Sequence, residues 1–310
     1  MLQFAEQQNG LHDLNGTSWH VRASWQLLDP KGKPEKQGTW EEWWAGPHQW
    51  EVIHDSPDFE QTDWSTPRGR FELNVHGSRA WIDAFIDEVI VHPIRIPPAA
   101  DAGQFTAGLL RKGKVTLHCV TFHHATPTLR GVLTSRGMRT SEDCFDAGMS
   151  DLRMEIGSLV QVTLNSIVKF QGRYLAREIH IERIGMPTID IRLDAIDEPA
   201  PAQAGQTDPP PQATPALITL PPESQNPNSF SQPHYPPTAY RLRLSGTVAV
   251  WATIGKDGTV SHLEVIACPT IFQQAALDYV KTLRFKPVLL RGIPVEANIT
   301  TLINFMSMPG

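Results

Sequence analysis

The chain has 310 residues, enough for two hydrophobic cores, and its 40% apolar and 19% charged content is that of a folded, water-exposed protein. Lys and Arg number 27 against 33 Asp and Glu, a net charge of -6 with no basic stripe, which argues against nucleic acid as a partner. No window approaches about 18 consecutive apolar residues, so no membrane-spanning helix is expected, and residues 1–10 lack the basic start and apolar core of a secretory signal.

The first elements are short runs of period two separated by turn residues. WHVRASWQLL at 19–28 ends in Asp29-Pro30-Lys31-Gly32, a turn signal, and extended chain resumes near Gly38. Thr39 to Trp44 is dense in aromatics, which favours strand, and residues 49–54, 59–64 and 70–75 continue the texture of an antiparallel meander. From Ser78 the period changes. Trp81, Ile82, Phe85, Ile86, Val89 and Ile90 recur at helical spacing, with Asp83, Asp87 and Glu88 on the other side, predicting an amphipathic helix over 79–91 that stops at Pro93. Strands are predicted again at 114–122, 129–135, 141–146, 151–156, 159–170, 173–184 and 188–196. One helix against so many strands requires a sheet that curves around it.

Eight of the nine tryptophans lie in the first 81 residues. Trp25, Trp43, Trp50 and Trp81, with Phe85, are candidates for lining a cavity that takes an acyl chain or another apolar ligand, because large rigid side chains line pockets without collapsing them. The competing reading is ordinary core packing. The cysteines are Cys119, Cys144 and Cys268, with no CxxC metal knuckle among them. Cys119 and Cys144 either form a disulfide or, with Cys268, are small buried hydrophobes.

His118, His123 and His124, extended by Glu178, His180 and Glu182, could ligate a metal, but alternation equally makes the last three the polar outer face of a strand. The GxSxG elbow, HExxH, P-loop and dinucleotide fingerprints do not occur. No catalytic residue, metal or cofactor is assigned, and the chain is not expected to be an enzyme. The rival function is an envelope enzyme with a metal or acid site in the first domain and the last domain as a targeting module.

From Asp197 to Pro237 the texture is PAPAQAG, DPPPQATP and LPPESQNPNSFSQPHYPP, with no Lys or Arg between Arg192 and Arg241. Proline removes backbone donors and fixes φ, so this stretch is expected to stay out of any sheet and to act as a semi-stiff tether between independent bodies. The expected division is 1–196, a linker over 197–237, and 238–310.

The last segment reads strand, strand, helix, strand. Gly246 to Ile254 is a strand, Lys256-Asp257-Gly258 a hairpin turn, and Val260 to Ile266 its partner. IFQQAALDYVKTL is a helix with Phe272, Ala276, Tyr279 and Leu283 on its apolar stripe, and 294–305 is the third strand. Val248, Val250 and Ile254 should face that helix, which leaves Trp251 on the opposite face, expected to be exposed there as a contact surface for a partner or for the neighbouring domain; the alternative is a register shift or bulge that turns it inward.

Tyr235-Pro236, Gly246-Thr247-Val248, Asp257-Gly258-Thr259-Val260, Ala275-Ala276, Phe285-Lys286-Pro287 and Gly292-Ile293-Pro294-Val295 stand in the order and intervals of one family. The stretch resembles the C-terminal domain of the TonB family of energy-transducing periplasmic proteins. The resemblance implies a small α+β fold of ββαβ order. It also implies a partner, an outer-membrane or envelope protein, whose extended segment adds to the edge strand through Val295, Ala297, Ile299, Thr301, Ile303 and Phe305, helped by Trp251. Self-association through the same edge is the alternative.

Residues 15–196 resemble more faintly the LolA and LolB type of lipoprotein carrier, at Gly38-Thr39-Trp40-Glu41, the helix 79–91, Cys144-Phe145-Asp146 and FQGRYLAREIHIERIG. That likeness implies a mainly antiparallel, curved half-barrel covered by a helix, with lipid or lipoprotein as its ligand. Both resemblances imply a periplasmic setting, with an export signal or membrane anchor expected outside these residues.

Overall fold

A computed structural model describes residues 2–11, 17–94, 102–124, 140–148, 151–157, 159–198, 208–215, 218–219, 232–290 and 293–307. Helix α1 (Leu2–Gln8) precedes five antiparallel strands, β1 (Trp19–Leu28), β2 (Pro34–Gly46), β3 (Gln49–Ser56), β4 (Phe59–Thr66) and β5 (Gly69–Gly77). Helix α2 (Trp81–Ile90) interrupts them. The sheet then resumes with β6 (Ala102–Lys112), β7 (Val115–His124), β8 (Thr140–Phe145), β9 (Leu152–Ile156), β10 (Val160–Phe170), β11 (Arg173–Arg183) and β12 (Met186–Asp197). Pairing of β1 with β12 joins the two series into one sheet of order β5-β4-β3-β2-β1-β12-β11-β10-β9-β8-β7-β6.

Alternation decides what enters this sheet's core. On β1 the odd positions Trp19, Val21, Ala23 and Trp25 are buried together, and on β11 and β12 Ile179, Ile181, Ile189, Ile191 and Leu193 join them. Helix α2 lies in this hollow and buries Trp81, Ile82, Phe85, Ile86, Val89 and Ile90, as its period predicts. Asp83 departs from the expectation. It is buried too, because the helix is enclosed and its polar side meets polar residues of β3 and β4 instead of water. The apolar space under α2, between Val89, Ile90, Leu164, Ile167, Leu175 and Ile179, amounts to about 10 Å3, room for at most one water.

Two elements of this half have no counterpart in the sequence reading: α1, and strand β6, whose AGQFTAGLLRK lacks a clean alternation. The strand expected at 129–135 lies outside the described residues. Cys119 and Cys144 are directly opposite each other on β7 and β8 and are joined by a disulfide, which leaves Cys268 as the free cysteine.

The proline-rich stretch does not stay out of the sheets. Thr214–Pro215 (β13) pairs with Glu72 and Phe71 on the outer side of β5, and Ile218–Thr219 (β14) pairs with a strand of the last domain. Pro215 is tolerated because it sits on an edge strand, where a missing N–H costs no ladder bond.

The last domain opens with α3 (Pro237–Arg241), then β15 (Gly246–Ile254) and β16 (Val260–Ala267), α4 (Gln273–Thr282), a small hairpin of β17 (Val288–Leu290) and β18 (Ile293–Val295), and β19 (Ala297–Phe305). Its sheet has the order β14-β19-β15-β16. Val248, Val250, Ala252 and Ile254 pack with Phe272, Ala276, Val280 and Leu283, so the predicted face of β15 does meet the helix. Gly258 turns the β15–β16 hairpin at φ +81°, and a Cβ there would strike the Phe285 carbonyl oxygen.

Candidate docking edge and interdomain interface

The strand β19 pairs with β15 along its whole length, from Ile254↔Ala297 to Gly246↔Phe305. On its other side, among the described residues, pairing is limited to Ala297 and Asn298, which face Ile218 and Thr219 of β14 in parallel. From Ile299 to Phe305 that outer edge carries backbone groups free to accept a further strand. Ala297, Ile299, Ile303 and Phe305 are buried with their side chains toward α4, and Thr301 is half-buried. These expected partner residues therefore offer an incoming strand their backbone, not their side chains. Val295 belongs to the hairpin strand β18, opposite Val288, and is not part of β19.

Tyr235, of the Tyr-Pro pair, closes one end of this core. Its ring meets Phe272, Phe305 and Tyr240 edge-on at 5.8, 5.9 and 6.1 Å, and its hydroxyl donates to the Leu244 carbonyl. The edge strand is thus backed by a packed aromatic layer at its C-terminal end, including Phe272 stacked on Phe305 at 4.7 Å.

The helix-free face of the same sheet is not exposed. Trp251 does point away from α4 as alternation requires, but it is only 3% exposed. It sits with Ala249, Ile266 and Ala267 in the hydrophobic cluster of the first domain, the one that also holds Trp81 and Phe85. The expectation of an open aromatic patch fails because the first domain covers it. The two bodies share a core, so the tether does not separate them.

Polar contacts fix this interface. The Trp81 N–H, in the first turn of α2, donates to Glu264 Oε2 at 2.7 Å, so a carboxylate of β16 caps a helix of the other domain. Arg183 Nη1 donates to the Ile266 carbonyl at 3.2 Å while its guanidinium lies 5.2 Å from the Trp81 ring centre. Burial pushes the Arg183 pKa down to about 10 against the opposing pull of Glu264. The Cys268 N–H donates to the Ile184 carbonyl at 2.8 Å. Gly185, at φ +67°, lets the β11–β12 turn approach so closely that a Cβ would overlap the Cys268 carbonyl oxygen.

Beneath α2 lies a buried polar cluster that the sequence reading missed. His54 stands between two acids, Nε2 3.8 Å from Asp63 and Nδ1 4.0 Å from Asp83. Arg79 pairs with Asp63, Gln61 donates to Asp63 at 2.6 Å, and the Ala80 N–H donates to Asp83 at 3.0 Å. Burial raises the Asp83 pKa to about 6, while the Ala80 N–H and Arg79 act against it. Burial, then the Arg79 charge, holds His54 well below its ordinary value, and burial, then Asp87, holds Glu42 well above its own. A signal existed in the sequence: His54, Gln61 and Asp63 occupy the inward positions of β3 and β4, where Val52 and Phe59 mark the buried face.

The proposed apolar lining divides. Trp25, Trp81 and Phe85 are core, and Trp50 packs half-buried against it. Trp43 is not part of the lining. It occupies the opposite face of β2 from Trp40 and Trp44, where it stacks on His20 at 3.8 Å. Of the histidine and acid set, Glu178, His180 and Glu182 bond separately to Ser166, Asp190 and Gln161. The side chains of His123 and His124 lie outside the described residues. Among the described residues the one group with metal-ligand spacing is Cys119, Glu142 and Cys144, whose cysteines are bonded to each other. No helix there is long and apolar enough to cross a membrane.

The chain is similar to a LolA superfamily protein from Nitrosomonas europaea, at 11% identity and a TM-score of 0.35 over 64% of this chain and 92% of that one. A DUF1329 family protein from Desulfovibrio piger is similar at 10% identity and a TM-score of 0.35, over 61% of this chain and 88% of that one. No curated protein matches the chain by sequence. Residues 231–306, which carry the candidate docking edge and the face that meets the first domain, match the family model of the Gram-negative bacterial TonB protein C-terminal.

Proposed function

We propose that this chain is a non-catalytic linking protein of the cell envelope, working in the periplasm, whose last domain receives an extended segment of an outer-membrane or other envelope protein along β19. The observation that carries the reading is the outer edge of β19, which among the described residues is unpaired from Ile299 to Phe305, in a domain of TonB C-terminal type. Backbone bonds to that edge supply affinity, and selectivity comes from the side chains the incoming strand presents to either face of the sheet. The first domain contributes an apolar hollow, the chemistry of an acyl chain or lipoprotein anchor, which becomes accessible when α2 and the last domain move off it.

Isothermal titration of the full chain with extended peptides from outer-membrane proteins tests the docking step. Saturable binding, with amide protection confined to 299–305, is the expected result. Absence of binding across a broad peptide set would remove the docking function.

A further inference from the structure

The edge assigned to a partner is already touched by this chain itself. Between Asp208 and Glu223 the sequence carries no charge, and within that stretch Ala216-Leu217-Ile218-Thr219-Leu220 is an apolar, β-branched run bounded by Pro215 and Pro221. A run of that composition has the texture of a strand, unlike the Pro, Gln, Ser and Asn around it. Its described part, Ile218–Thr219, pairs in parallel with Ala297 and Asn298 at the start of β19. The same stretch is held on the first domain: Thr214–Pro215 pairs with β5, and Asp208 forms an exposed ion pair with Arg68 at 2.9 Å.

We propose that the chain's own segment around Ile218–Thr219 occupies the β19 edge in cis, and that the partner enters by displacing it. This rests on the docking function proposed above. The displaced segment specifies its competitor, an uncharged, aliphatic and β-branched stretch able to run parallel to β19. Because the segment is anchored a few residues away, it competes at an effective concentration on the order of millimolar. A partner of equal length would lose to it. The partner prevails through length, since among the described residues the cis strand covers two residues of β19, and prolines follow at 221 and 222, which have no N–H to extend a ladder. A longer, proline-free segment gains the additional edge from Ile299 to Phe305.

The test uses the full chain, its variants Ile218→Pro and Thr219→Pro, and a labelled synthetic peptide of residues 214–220 as probe. With the cis strand disabled, the probe is expected to bind at least about tenfold more tightly than to the unaltered chain, and amides at 297–299 should exchange faster in the peptide-free variants. Two independent substitutions guard against one that merely misfolds. Equal probe affinity for all three proteins, with unchanged exchange at 297–299, would overturn cis occupancy while leaving the docking function standing. Failure of the probe to bind any of them would also overturn it, and titration with the outer-membrane peptides then decides the docking function separately.

Discussion

Replacing Trp251 by alanine should loosen the hold of the last domain on the first without unfolding the last domain's own core. The indole is 3% exposed and belongs to the cluster of Trp81 and Phe85, not to that of α4. An enclosed tryptophan removes up to about 250 Å2 from water, worth roughly 6 kcal/mol at about 25 cal/mol per Å2. Its Nε1 is buried with no hydrogen-bond partner, which returns about 1–3 kcal/mol. The net loss for Trp251→Ala is therefore about 3–5 kcal/mol, the usual range for aromatic truncation in a core. Trp251→Phe keeps most of the area and discards the orphan N–H, so it should lie within about 1 kcal/mol of the parent chain. Urea unfolding of the full chain gives the stabilities, and amide exchange localises the opening to α2 and β16. A loss below about 1 kcal/mol for the alanine variant, or phenylalanine as damaging as alanine, would refute the reasoning.

Asp83 has a folded pKa raised from 3.8 to about 6, so ionisation is disfavoured in the fold, and its contribution is full below the unfolded value and is lost as pH rises through about 6. On this linkage the parent chain should gain about 1.3 kcal/mol over Asp83→Asn between pH 7 and pH 5, whereas parallel urea curves would contradict it. His54, with its pKa lowered, works in the opposite sense and loses stability as pH falls below the ordinary histidine value, so His54→Gln should improve relative stability in the same acid range. Gly185→Ala should cost several kcal/mol through overlap with the Cys268 carbonyl and a strained positive φ, and a melting temperature equal to the parent's would show that the turn and Cys268 do not touch. The disulfide closes a loop with a sequence separation of 25, so a Cys119→Ala and Cys144→Ala chain should be less stable by about 3 kcal/mol, and the parent, unfolded without reductant, should titrate a single thiol.

Local pattern was enough to read much of the fold. The periodicities of Trp81 to Ile90 and of β15 are local, and both placed their apolar faces correctly. The motif order from Tyr235 to Phe305 located the last domain and the strand that forms its edge. What failed was decided at long range. Alternation fixed the direction of Trp251 but not what covers it, since its burial comes from the core of the first domain, far away in the sequence. The same holds for Asp83, read as solvent-facing because a helix was assumed to have one wet side. Proline content led to a tether with no pairing, yet edge pairing needs only two or three residues, and Thr214–Pro215 and Ile218–Thr219 supply them.

The cap that Glu264 places on α2 joins residues 183 positions apart in the chain. During synthesis the first turn of that helix emerges long before the carboxylate that caps it. Nicking the chain between 220 and 231 would leave every one of these contacts in place. The two pieces would then act as halves of a split protein, co-eluting as one particle, and a sensor built by fusing reporters to each half would report on their separation.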